Sequence, residues 1–223
     1  MCGRFTQHYT WREIQELYGL VGAARNVEPR YNIAPTDRID VVVQRDGGRE
    51  RVPMRWGLIP WWWKKALKDL PSTFNARAET VADKPMFRDA FKRGRCILPA
   101  SGYYEWRATA AGKQPYYITA SDGAPLSIAG LWDTWKAPEN GADRVLSCTL
   151  IVTAANAFTR GIHDRMPVLL DQADVGPWLS GTGGADLLKP AADTALSMWP
   201  VSRRVNRSGS GSDDRTLIDE VAA

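Results

Sequence analysis

The sequence predicts an α+β protein of a single domain, with antiparallel β-sheets forming a barrel-like core flanked by short helices. Three observations carry that expectation. Short β-patterned segments are many, helical spacing is confined to a few brief stretches, and nothing resembles a domain-dividing linker before about residue 206. Residues 1–206 are therefore expected to form the domain, and 207–223 a polar, flexible C-terminal tail, since RSGSGSDD is small and polar. A chain of 223 residues buries a substantial core without covalent staples.

The elements follow in order. TWREIQELYGL (10–20) opens on a threonine cap and sets Ile14, Leu17 and Tyr18 on one helical face. IDVVVQR (39–45), a DGG turn and RVPMRW (51–56) read as a β-hairpin. A tryptophan-rich loop follows, with Pro60 and Pro71 near its ends. KPMFRDAFKR suggests a short amphipathic helix through Met86, Phe87, Ala90 and Phe91. CILPA, YYEWRA, PYYITA and PLSIAGLW read as successive strands, with turn signals at Gly112 and Asp122-Gly123. VLSCTLIVTAA is a nearly continuous apolar run and predicts a fully buried strand, and DQADVGPWLS a short helix.

Composition sets bounds on function. The hydrophobic fraction of 44% and charged fraction of 24% fit a soluble globular protein. A net charge of +4 permits an anionic partner without demanding one. Cys2, Cys96 and Cys148 are odd in number and lack metal-ligand spacing, so they read as reduced thiols of an intracellular protein. The N-terminus has no secretory pattern, and no apolar run is long enough for a membrane helix. Two histidines and unclustered thiols argue against a metal site, and no cofactor is expected.

Cys2 is the most informative residue. Elsewhere a lone cysteine is usually a small buried hydrophobe. At position two, removal of Met1 would leave an α-amine and a thiol on adjacent carbons, a pair that no internal cysteine offers. Such a pair suits condensation with an aldehyde. The α-amine has a pKa of about 7.7–8.0, so near pH 7.5 roughly a third is neutral and nucleophilic, against about 0.1% of a lysine. The amine gives a Schiff base, and the thiol closes a five-membered thiazolidine ring on the same carbon. The ring-opened sugar of an abasic site presents an aldehyde of this kind.

His163, in GIHDRMP (161–167), falls on a loop between predicted strands, where Asp164 and Arg165 could tune its charge. A lone histidine is more often a structural hydrogen-bonder than a catalyst, so the local sequence alone favours that reading. Strand alternation puts Glu105 on the face of Tyr103, not of Tyr104 or Trp106. In such company its carboxyl could be desolvated and raised toward proton-transfer work, or it could form a salt bridge to an arginine. The stretch 56–80 combines Trp61, Trp62 and Trp63 with Lys64, Lys65 and Lys68, then Asn75, Arg77 and Glu79. Aromatics interleaved with cations suit single-stranded nucleic acid, whose bases stack on rings for about 1–3 kcal/mol each. The alternative makes the tryptophans core, but three in a row cannot all point inward from a regular strand.

MCGRF, RYNIAPT (30–36), RWGLIPWW (55–62), FNARAET (74–80), RCILPASGYYEW (95–106), LIVTAAN (150–156), IHDRMP (162–167) and PVSRRVN (200–206), in this order, resemble the SOS response-associated peptidase (SRAP) family. The resemblance covers nearly the whole chain. It implies capture of abasic sites in single-stranded DNA through a covalent thiazolidine cross-link, with Cys2 as nucleophile. Asn75 would hold the N-terminal residue and the sugar, Glu105 would shuttle protons, and His163 would assist opening of the sugar ring. DNA contacts are implied for Arg4, Trp62, Trp63 and Arg77. Associated lyase activity, by β-elimination from the Schiff base, and reversal of the cross-link also belong to that expectation. The family name keeps open a thiol peptidase using Cys2, and a non-covalent single-strand binder is a third reading. The protein is expected to work in the cytoplasm, at the nucleoid when on DNA, as a monomer by default.

Overall fold

In a computed structural model, residues 2–24, 26–137, 144–209 and 212–222 are described. Among these residues twelve strands form two sheets, one of which closes on itself, and three α-helices accompany them. The closed sheet is a ring of five strands: β3 (Arg38–Arg45), β4 (Gly48–Trp56), β6 (Arg95–Ala100), β9 (Leu126–Lys136) and β10 (Arg144–Ala154). β3 pairs with β4 and with β6, β6 with β9, β9 with β10, and β10 with β4. The second sheet is open and antiparallel throughout. Its order is β12 (Leu196–Pro200), β8 (Gly112–Ala120), β7 (Gly102–Thr109), β1 (Phe5–Gln7) and β2 (Arg30–Ile33).

The expected hairpin is β3–β4, and the expected succession of strands is β6 to β9. The barrel is not antiparallel all round. β4 and the short β5 (Asn75–Arg77) both run parallel to β10, because the tryptophan-rich loop carries the chain forward between them instead of turning it back. β10 is buried from Ser147 to Thr153, since both its edges are occupied almost end to end. One edge passes from β4 at Cys148 to β5 at Leu150; the other passes from β9 at Leu150 to β11 (Arg165–Pro167) at Val152.

Alternation along the barrel strands divides the core. Val41, Val43, Met54, Leu98 and Leu150 join Cys2, Phe5, Ile33, Tyr103 and Ile118 in one cluster that bridges the two sheets. Val42, Ile97, Leu131 and Ile151 pack on the opposite side with Ile14 and Tyr18 of α1 (Trp11–Tyr18) and Val175 and Trp178 of α3 (Gln172–Ser180). α1 carries the capping box its sequence announces. Thr10 Oγ1 accepts from Glu13 N at 3.2 Å, Glu13 Oε2 accepts from Thr10 N at 2.6 Å, and Gly19 ends the helix at φ 63°. α2 (Arg88–Arg93) is shorter than the amphipathic stretch suggested, with Met86 and Phe87 in the turns before it.

The C-terminal segment expected as a flexible tail folds back in its described residues. Arg204 Nη1 donates to Asp214 at 2.7 Å, Trp199 Nε1 donates to the Ile218 carbonyl at 2.8 Å, and Leu217 is buried. Backbone bonds from Tyr31 N to the Ser212 carbonyl at 2.6 Å and from Val221 N to the Pro200 carbonyl at 3.0 Å help fasten a segment whose composition alone reads as linker.

Candidate functional site

The strand pairings decide which residues meet. β1 lies against β7, and Tyr104 N donates to the Arg4 carbonyl at 2.9 Å, so the chain N-terminal to Arg4 runs on beside Glu105. Gly102, opposite Thr6 in that pairing, has no room for a Cβ beside the ring of Tyr117, whose hydroxyl lies 2.9 Å from Thr6 Oγ1. On the barrel side, β10 holds Asn75 opposite Leu150 on one edge and Arg165 opposite Ala154 on the other. The two hand-overs along β10 thus bring Asn75 and the His163 loop to one end of the same strand.

Cys2 is wholly buried. Asn75 Nδ2 donates to the Cys2 carbonyl at 2.9 Å, while its Oδ1 is buried with no hydrogen-bond partner among the described residues. Glu105 is 2% exposed. Burial pushes its carboxyl up to about 7. Burial, and then the charge of Glu105, push the Cys2 thiol well above the usual range, so it is a neutral thiol. His163 is partly buried, and that burial lowers its pKa and keeps it neutral at pH 7. Its Nδ1 accepts from Arg165 N at 3.0 Å, which puts the ring proton on Nε2. The Asp164 carboxylate also lies 3.0 Å from Nδ1, but its side chain is 84% exposed, and Nδ1 cannot donate to it while accepting from Arg165.

A cleft of about 330 Å³ is lined by Glu105 and His163 together with Trp106, Lys113 and Asn206, while Cys2 and Asn75 lie outside its lining. A larger cavity of about 590 Å³, between the 120–127 and 169–172 segments, holds none of them. Among the described residues no three His, Cys, Asp or Glu side chains are grouped to hold a metal ion. Among the described residues no helix is long and apolar enough to cross a membrane.

The residues expected to contact DNA are placed unequally. Arg77 ends β5 and is exposed. Of the three tryptophans, Trp61 is the most open, at 55%, whereas Trp62 and Trp63 are half-buried with their rings 6.2 Å apart. The Trp63 carbonyl is tied down by Trp135 Nε1 at 2.7 Å. Arg4 is half-buried, and its Nη1 donates to Asn32 Oδ1 at 2.5 Å and to the Val205 carbonyl at 2.7 Å. Sequence reasoning missed Lys113, Trp106 and Asn206 as walls of the cleft. The Gly112 turn signal marks Lys113 as the start of the returning strand, but residue 206 reaches it through long-range contacts, Trp106 Nε1 with Asn206 Oδ1 at 2.7 Å and Arg203 Nη1 with the Ala111 carbonyl at 2.9 Å.

Residues 1–208 match the family model described as SOS response associated peptidase (SRAP). The chain is 36% identical over 215 residues to the abasic site processing protein YoqW of Bacillus subtilis, covering 92% of this chain and 94% of that one. It is 32% identical over 217 residues to the abasic site processing protein YedK of Escherichia coli, with 92% and 94% covered. A crystal structure of a protein from Bacteroides thetaiotaomicron superposes with a TM-score of 0.88 at 27% identity, covering 99% of this chain and all of that one.

Proposed function

This chain belongs to the SOS response associated peptidase (SRAP) family, and from that premise we propose that it processes abasic sites by capturing them covalently. The residue that reacts is Cys2, once Met1 is removed, and the substrate is the ring-opened abasic sugar in single-stranded DNA. One observation carries the reading: the Asn75 side chain grips the Cys2 carbonyl. That grip fixes the one residue whose amine and thiol must both reach a single carbon atom, the kind of orientation from which effective molarity comes.

The surrounding groups fit the steps. Neutral His163 gives its Nε2 proton to the sugar ring oxygen as the bond from that oxygen to C1′ breaks, and the anomeric hydroxyl, becoming the carbonyl, passes its proton back to Nε2 through water. The Cys2 amine adds to C1′. Glu105, protonated because it is buried, gives its proton to the carbinolamine hydroxyl, which leaves as water and leaves an iminium. The thiol then attacks the same carbon, its proton returns to Glu105, and the C=N electron pair collapses onto nitrogen. The thiazolidine is complete and Glu105 is again protonated. Arg77, the tryptophan loop and Lys64, Lys65 and Lys68 would carry the flanking strand by stacking and charge.

The peptidase of the family's name is less well served. A thiol protease needs a thiolate, which an electropositive, partly exposed setting favours. The Cys2 thiol is buried beside a carboxyl that pushes its pKa up. The test is the intact mass of the adduct. Capture requires the Met1-processed protein plus the abasic strand less one water, and a chain that keeps Met1 should form none. An equal yield of adduct with Met1 retained would end this reading.

A further inference from the structure

Tyr103 stands two residues before Glu105 on β7, so both side chains leave the same face of the strand. Its ring packs in the cluster that contains Cys2 and Phe5, and Phe5 is its partner in the β1–β7 ladder. The residue is wholly buried, yet its hydroxyl has no hydrogen-bond partner among the described residues. A buried hydroxyl left without a hydrogen bond destabilises the fold. Phenylalanine would supply the same packing without that cost.

Tyr104, on the other face, shows what a structural tyrosine looks like in this strand: its hydroxyl donates to the Tyr31 carbonyl at 2.7 Å. The Tyr103 hydroxyl is therefore surplus to folding. Its surroundings say what it faces. Cys2 packs in its cluster and Glu105 leaves the same face of β7, and these are the two titratable groups that act on it. Burial also holds the phenol protonated, so it serves as a donor throughout.

We propose that Tyr103 is a positioning residue for ring closure: its hydroxyl donates a hydrogen bond to the Cys2 sulfur and holds it toward the iminium carbon. The inference rests on the capture reading above. In the step concerned, the S–C1′ bond forms, the C=N pair moves to nitrogen and the thiol proton passes to Glu105. Tyr103 keeps its own proton and is unchanged at the end. Before the lesion arrives it has no acceptor; as charge builds on sulfur during closure, the hydrogen bond forms and strengthens.

The test separates two adducts of the Met1-processed protein with an abasic single strand. Borohydride traps the Schiff base, whereas the closed ring resists heat and hydroxylamine without reduction. Tyr103→Phe should form the borohydride-trapped adduct within about twofold of wild type and close the ring about tenfold or more slowly. Its Tm should be unchanged or higher, because the substitution removes an unpartnered hydroxyl. Tyr104→Phe should lower Tm and leave the partition between the adducts untouched, which separates positioning from general loosening. Ring closure by Tyr103→Phe at the wild-type rate overturns the inference, as does equal loss of both adducts. If wild type itself yields neither adduct, the capture reading fails first, and this inference falls with it.

Discussion

Asn75 spends one half of its side-chain amide on the carbonyl of Cys2, at 2.9 Å, and buries the other half with no partner among the described residues. The donor half holds the nucleophilic residue, and the acceptor half remains for a hydroxyl of the incoming sugar. Asn75→Ala loses both. It should slow cross-linking by about 10²-fold, on the scale that misplacing a reacting group costs. Single-strand affinity, read by fluorescence anisotropy, should change little.

Glu105 links chemistry to stability. Its carboxyl is raised from 4.5 to about 7, so between those values the folded protein holds a proton that the unfolded chain has lost. The stability this group contributes is full below about pH 4.5 and is lost as pH rises through about 7. Glu105→Gln should therefore raise Tm more at pH 8 than at pH 5. It should also slow cross-linking by about 10²-fold. For wild type the rate should be bell-shaped in pH, because the amine must be neutral while Glu105 is protonated. In the Gln variant the alkaline fall near pH 7 should disappear.

His163 can be isolated by choice of substrate. If its Nε2–H serves the opening of the sugar ring, His163→Gln should slow capture of the cyclic abasic sugar by about tenfold or more. The same variant should react at the wild-type rate with a strand that carries an aldehyde unable to cyclise. Equal slowing on both substrates would remove His163 from ring opening.

Arg4 and Arg77 should part company. Arg4 Nη1 is engaged inside the protein, joining Asn32 to Val205, so Arg4→Ala should cost about 1–3 kcal/mol of stability in a chemical melt. Arg77 is exposed at the end of β5. Arg77→Ala should leave the melt unchanged, weaken single-strand binding and lower its salt slope by roughly one phosphate's worth.

Much of this architecture is legible from pattern, and the exceptions are physical. Thr10, Glu13 and Gly19 announce α1 because capping is a local transaction among near neighbours. The 2-period of β7 already sets Glu105 on the face of Tyr103, away from Tyr104. The barrel-like core is legible, but the parallel pairing of β4 with β10 that closes it is not, since it joins strands far apart in the chain. Nor is the engagement of Arg4 by Val205, two hundred residues away in the chain, or the docking of Leu217. The triple tryptophan does announce an exposed ring, but which one is decided by anchors elsewhere: the Trp61 amide is held by Asp133, and the Trp63 carbonyl by Trp135.

The central claim is that Cys2 of the processed chain bonds the lesion. It is tested most directly by a denaturing gel of Met1-processed protein with single-stranded DNA carrying one abasic site. The same undamaged strand and the Cys2→Ala variant run alongside. A shifted band that survives heating, requires the lesion and is absent from Cys2→Ala is the predicted result. The variant still has an α-amine, so it should be trapped only when borohydride is added. No band from wild type whose N-terminal cysteine is verified free, or an equally heat-stable band from Cys2→Ala, would contradict the account.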